Sequence, residues 1–110
     1  MSWKISYLPE ALNDLKSLDG NQRILVQKAI KKVQSNPLSE SEGGYGKPLG
    51  NKKGANLTNF LKIKLRSAGI RIVYKLERSV YGMLIVVIGI REDNEVYQDA
   101  QKRIDKHDLR

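Results

Sequence analysis

The stretch LKIKLRSAGIR, residues 61–71, places Lys62, Lys64, Arg66 and Arg71 within eleven positions and has no acid among them. Cations at that density repel one another unless an anion lies between them. A phosphodiester suits such a group, because lysine meets it as a point charge and arginine as a forked donor. Each neighbouring cation also favours the neutral amine of a lysine, so one lysine of the group can serve as a base. These residue types at this spacing therefore suggest chemistry at a phosphate.

The rest of the chain sharpens that reading. Twenty Lys and Arg against twelve Asp and Glu give a net charge of +8 over 110 residues, which points to a polyanionic partner. Residues 47–78 hold nine basic side chains and only Glu77 as an acid, whereas the segments on either side are close to balanced. There is no cysteine, so disulfide and thiol chemistry are excluded. His107 is the one histidine and lies near a C-terminus expected to fray, which excludes a two-histidine ribonuclease mechanism and leaves no zinc set. GGYGKPLG fails the phosphate-loop pattern, because Pro48 stands where Ser or Thr must follow the lysine. Glu92, Asp93 and Glu95 read as dipole matching at a helix start rather than metal ligands. No cofactor or metal is expected. MSWKISYLPEALNDL lacks a signal-peptide core and no stretch reaches the roughly 18 apolar residues of a membrane span, so a cytoplasmic protein is expected.

The elements that must position the cations follow from hydrophobic period. Trp3–Leu8 alternates as a strand and stops at Pro9, after which Leu8, Ala11, Leu12, Leu15 and Leu18 recur at helical spacing up to Asp19-Gly20. A second helix carries Ile24, Leu25, Lys28, Ala29 and Lys32 or Val33 and ends at Asn36-Pro37. The Gly/Ser/Asn-rich residues 39–59 read as a long surface loop, whose Lys47, Lys52 and Lys53 read equally as contacts to a polyanion such as nucleic acid or as solvated loop charges. Three strands follow, Phe60–Arg66, Ile70–Glu77 and Met83–Ile90, the last apolar enough to be buried on both faces. A closing helix has Val96, Ala100 and Ile104 on one face and Asp93 or Asn94 as its N-cap. The expected class is α+β: a single antiparallel sheet, made of a strand, a two-helix hairpin and a three-strand meander, with a C-terminal helix, in one domain over residues 1–110.

In that arrangement Leu61, Ile63 and Leu65 face the core and Lys62, Lys64 and Arg66 face away. Arg71, in phase with Val73 and Lys75, joins them on an open face only if the turn has even length or carries a bulge. Four or five cations would then lie within roughly 10 Å, at cross-strand separations of about 5 Å.

FLKIKLRSAGIRIVYKLE, followed by VVIGIREDNEVYQDAQKRI, resembles the RelE branch of the RelE/ParE toxin superfamily, with KPLG and the N-terminal elements agreeing in order. The resemblance implies a ribosome-dependent, metal-independent endoribonuclease that cuts messenger RNA in the decoding site by 2′-hydroxyl attack, and a cognate antitoxin as partner. It places the functional positions on Lys62, Lys64, Arg71, Arg91 and Tyr97. Lys64, the most crowded, is assigned the base. Lys62 and Arg71 are assigned the phosphate, and Arg91 an electrostatic role at the same phosphate. Tyr97 is expected to stack on a base or orient the backbone. Arg66 and Lys75 are expected as further RNA or antitoxin contacts. The chain departs from the pattern at Ile90 and Asp93, which replace positions often basic in close relatives. Two other functions compete, a gyrase-inhibiting ParE-like toxin and a non-catalytic RNA- or antitoxin-binding module; the full set of five argues against both.

Overall fold

The alternation of Lys4–Tyr7 forms strand β1 in the computed structural model, which describes residues 3–52, 54–90 and 92–110. The Leu8 amide donates to the Ile85 carbonyl at 3.0 Å, and Pro9 then opens helix α1, Pro9–Ser17, at a position whose N–H has no helical partner anyway. Ala11 and Leu15 are buried, while Leu12 is left at the surface. Asp19 begins helix α2, Gly20–Gln34, through a capping box: its carboxylate accepts from the Gln22 amide at 2.8 Å, and the Gln22 side chain accepts from the Asp19 amide at 3.2 Å. The buried stripe of α2 is Val26, Ile30 and Val33, not the expected one through Ile24 and Leu25, which are exposed. Both stripes have three- and four-residue steps, and only packing against the sheet chooses between them.

Residues 39–59 are not the plain surface loop that composition suggests. They contain strand β2, Lys47–Pro48, and a hairpin of β3, Asn51–Lys52, with β4, Ala55–Asn56. Leu49, Ala55 and Leu57 anchor the segment in the core, and the Asn56 amide donates to the Gln101 side chain at 3.2 Å. Too few apolar residues are spaced too irregularly there for a period to emerge. Strands β5, Phe60–Leu65, β6, Ile70–Glu77, and β7, Gly82–Gly89, make the expected antiparallel meander.

The main sheet runs β1-β7-β6-β5-β2 and is mostly antiparallel, but β1 lies parallel to β7. The class is α+β, with a mixed sheet. Helix α3, Asp93–Lys106, lies on the side of the sheet opposite α2, so neither face is open as expected. This two-sided cover is why Met83 and Ile85–Ile88 form a nearly continuous buried run. On the α2 side the buried Tyr74 hydroxyl donates to the Pro37 carbonyl at 2.7 Å, and burial pushes that phenol above its ordinary ionisation range. The backbone at Glu92, not Asp93 or Asn94, is the N-cap of α3, because the helix begins one residue earlier, and no side chain caps it. No helix among the described residues is long and apolar enough to cross a membrane.

Ionic ties to α1 at Asp14 and Glu10 help hold α3 in place, and the sequence pattern revealed neither. The β6–β7 register shifts between Val73 and Tyr74, which pair with Val87 and Ile85 and leave Val86 as an extra residue in β7. At the same point β1 ends, so the Val86 carbonyl and the Ile88 amide need other partners. Arg103 donates to the Val86 carbonyl at 3.0 Å, Asp14 accepts from the Ile88 amide at 3.0 Å, and the two side chains pair at 2.6 Å. Farther along, Glu10 accepts from Lys106 at 3.1 Å and lies 3.0 Å from His107 Nε2. The C-terminal turn is therefore docked on α1 rather than frayed.

Asp14→Ala removes a partner from Arg103 and from a strand amide, and is expected to lower the urea-unfolding free energy by about 2–4 kcal/mol. The Glu10 carboxyl is held down to about 2, first by its hydrogen bond with His107, from an ordinary 4.5. A carboxyl lowered on folding contributes stability above its unfolded value and loses it as pH falls through the folded one. Acid unfolding followed by circular dichroism should thus show a limb between about 4.5 and about 2 that is reduced in Glu10→Gln.

Candidate active site on the basic sheet face

Alternation in β5 divides its side chains as the sequence requires. Leu61 and Ile63 are buried and Leu65 half-buried on the α2 side, while Lys62 and Lys64 point to the α3 side. The turn from β5 to β6 is Arg66–Gly69, an even four residues closed by Gly69 at φ 66°, a left-handed conformation that glycine adopts without cost. The resulting register sets Lys64 opposite Arg71 and Lys62 opposite Val73. Directly opposed residues share a face with Cβ atoms about 5 Å apart. Arg71 also donates to the Gly69 carbonyl at 3.0 Å, which bends its guanidinium toward the turn.

Lys47 joins the group from the other side. It was expected in a loop, but β2 pairs with β5 so that Lys47 lies opposite Lys62 and on its face. A two-residue strand is too short for alternation to reveal.

The first turns of α3 close the site. Gly89 is opposite Arg71 in the register, and a Cβ there would come within 2.7 Å of Val96 Cγ2, so the absent side chain is what admits the helix. Tyr97 is only 3% exposed. Its hydroxyl accepts from Lys62 Nζ at 3.1 Å, and the ammonium lies 5.8 Å from the ring centroid. The ring is thus packed away from solvent in this conformation, and what Tyr97 offers is a fixed position for Lys62 rather than a bare stacking surface.

Not every expected residue gathers here. Arg66 is exposed in the turn, at the end of the hairpin. Lys75 shares the face but pairs with Phe60, about 13 Å along β6 from Arg71, where it lines a hollow with Leu109 and Arg110. Arg91, Lys53 and the side chain of Lys52 lie outside the described residues. Among the described residues no group of three or more His, Cys, Asp or Glu could hold a metal ion. The assembled amines and guanidinium can bind a tetrahedral anion from several sides, and an amine among them can accept a proton from a hydroxyl beside that anion.

The mRNA interferase toxin RelE of Escherichia coli K12 is 30% identical to this chain over 104 residues, covering 94% of the chain and 99% of that protein. The chain belongs to the RelE toxin family. No family model matches it. A solved structure of a doubly arginine-substituted mutant of E. coli toxin RelE in the free state superposes with a TM-score of 0.71 at 28% identity, covering 94% of this chain and 99% of that one. The same mutant bound to a peptide of the antitoxin RelB gives 0.66 at 26% identity, covering 91% and 95%. The RelE likeness therefore extends well beyond the stretch of about residues 60–104 that first suggested it.

Gly89→Ala tests the seating of α3 on this RelE-family sheet. The clash with Val96 should cost about 1–3 kcal/mol of unfolding free energy, and the shift of Tyr97 should be seen as a displaced Lys62 side-chain resonance in NMR spectra.

Proposed function

We propose that this protein is the toxin of a type II toxin–antitoxin pair, a cytoplasmic endoribonuclease with one RelE-like domain over residues 1–110 that cuts messenger RNA in the decoding site of the ribosome. The observation that carries the reading is the register pairing Lys64 with Arg71, beside a Lys62 fixed by Tyr97. Lys64 takes the proton of a ribose 2′-hydroxyl, and the oxygen attacks the adjacent phosphorus. The bond to the 5′-oxygen breaks and that oxygen takes up a proton from water, leaving a 2′,3′-cyclic phosphate and a free 5′-hydroxyl. Lys62 and Arg71 bind the non-bridging oxygens, whose charge grows in the transition state. Arg91 acts at the same phosphate through its charge, since a guanidinium is a poor proton donor. Tyr97 is a positioning residue acting through Lys62. All cations the step uses are side chains of this chain, so it is expected to run in metal-free buffer.

A net charge of +8 also fits an acidic antitoxin that neutralises the protein in a hetero-oligomer. Lys47, Lys52, Lys53, Arg66 and Lys75 are proposed as contacts to RNA along the approach to the site.

Inducing the protein and mapping 5′ ends of ribosome-associated messenger tests this reading. New ends within codons at the decoding site are expected, and Lys64→Ala or Arg91→Ala should reduce them about 100-fold or more. Intact messenger alongside broken chromosomal DNA would instead mark a gyrase-directed toxin.

A further inference from the structure

A hollow of about 210 Å³ lies at the edge where β5 runs past the two-residue β2 and faces α2. Its lining includes four lysines, Lys32, Lys47, Lys62 and Lys64, and no acid. Val33 and Ile63 contribute an apolar floor. One wall is Tyr45, a residue 50% exposed although its backbone is held by a 3.0 Å bond from its amide to the Asn36 carbonyl. Lys32 Nζ stands 5.3 Å from the centre of that ring.

From these features we infer that Tyr45 and the hollow beside it form a nucleobase subsite for single-stranded RNA, next to the scissile phosphate. The inference rests on the function proposed above and extends it to a residue outside the catalytic set. Three observations favour a base as the occupant. Lys62 and Lys64 line the hollow at the open edge of β5 and send their side chains to the α3 face, so a strand whose phosphate lies on those lysines and that passes over this edge brings a neighbouring base to the hollow. Its lining combines an aromatic face and apolar floor with a rim of cations, the pairing by which proteins hold unpaired bases and their backbone. Its volume is below the about 300 Å³ at which pockets for drug-sized ligands begin, so it suits a single ring system. Tyr45 is on a fixed backbone, so stacking on it costs little ordering. Purines offer the larger stacking face and are favoured at this position.

The test uses ribosomes programmed with messengers that differ only in the base flanking the cut, and compares kcat/KM for wild type, Tyr45→Ala, Tyr45→Phe and Lys64→Ala. Tyr45→Ala should lose about 5- to 100-fold and its purine preference, and Tyr45→Phe should keep both. If Tyr45→Ala cuts with wild-type rate and base preference while Lys64→Ala is inactive, the subsite is wrong and the proposed function stands. A Tyr45→Ala protein that cuts normally but escapes neutralisation by its antitoxin would assign the hollow to that partner and overturn the RNA subsite. Absence of cleavage by wild type in every messenger would overturn both.

Discussion

A β-strand sends alternate side chains to opposite faces, and β5 uses this to build two things from six residues. Leu61 and Ile63 close the core against the helical hairpin, while Lys62 and Lys64 reach the other face. The rest of the site depends on this parity. The four-residue turn preserves it, so Arg71 returns beside Lys64, and the pairing of β2 extends it, so Lys47 comes beside Lys62. A slip of one residue in either pairing would exchange the core row for the cationic row. Core burial therefore fixes the register, and the register fixes which cations share a face.

The cationic face is also a packing face. Helix α3 occupies it through Val96 against Gly89 and through Ala100 and Ile104, and its Tyr97 takes hold of Lys62. What keeps α3 there lies at the far side of β7, where Arg103 and Asp14 satisfy the strand groups that β1 leaves uncovered. Glu10, Lys106 and His107 add a second tie near the helix end. Site geometry and helix docking are thus parts of one arrangement, in which the ion pairs stabilise and Tyr97 transmits.

Those parts of the protein with strong period were legible in the sequence. The three meander strands, Pro9 at the start of α1, the face of α3 and the facing of Lys62, Lys64 and Arg71 all follow from alternation or helical spacing. Where period is weak, or serves two faces equally, reading failed. Helix α2 offers two apolar stripes, and of the expected one, through Ile24, Leu25, Lys28, Ala29 and Lys32 or Val33, the residues Ile24 and Leu25 are exposed while Val33 is buried with Val26 and Ile30. Strand β2 is too short to show alternation, so Lys47 looked like a loop charge. The parallel placement of β1, the bulge at Val86 and the Asp14–Arg103 tie arise from chain crossings over long separations, which local spacing does not encode. Tyr97 was visible as a residue type, but its burial follows from α3 covering a face that the cation row alone suggested was open.

On the function proposed above, the β5–β6 register brings Lys64 and Arg71 to a single phosphate. Single-turnover cleavage of ribosome-bound messenger by wild type, Lys64→Ala, Arg71→Ala and the double variant tests it most directly. Residues that act on one transition state lose their effects together, so the double variant should be no more than about tenfold slower than the worse single variant. Losses that multiply in full, each independent of the other, would contradict the account by showing that the two side chains serve different phosphates.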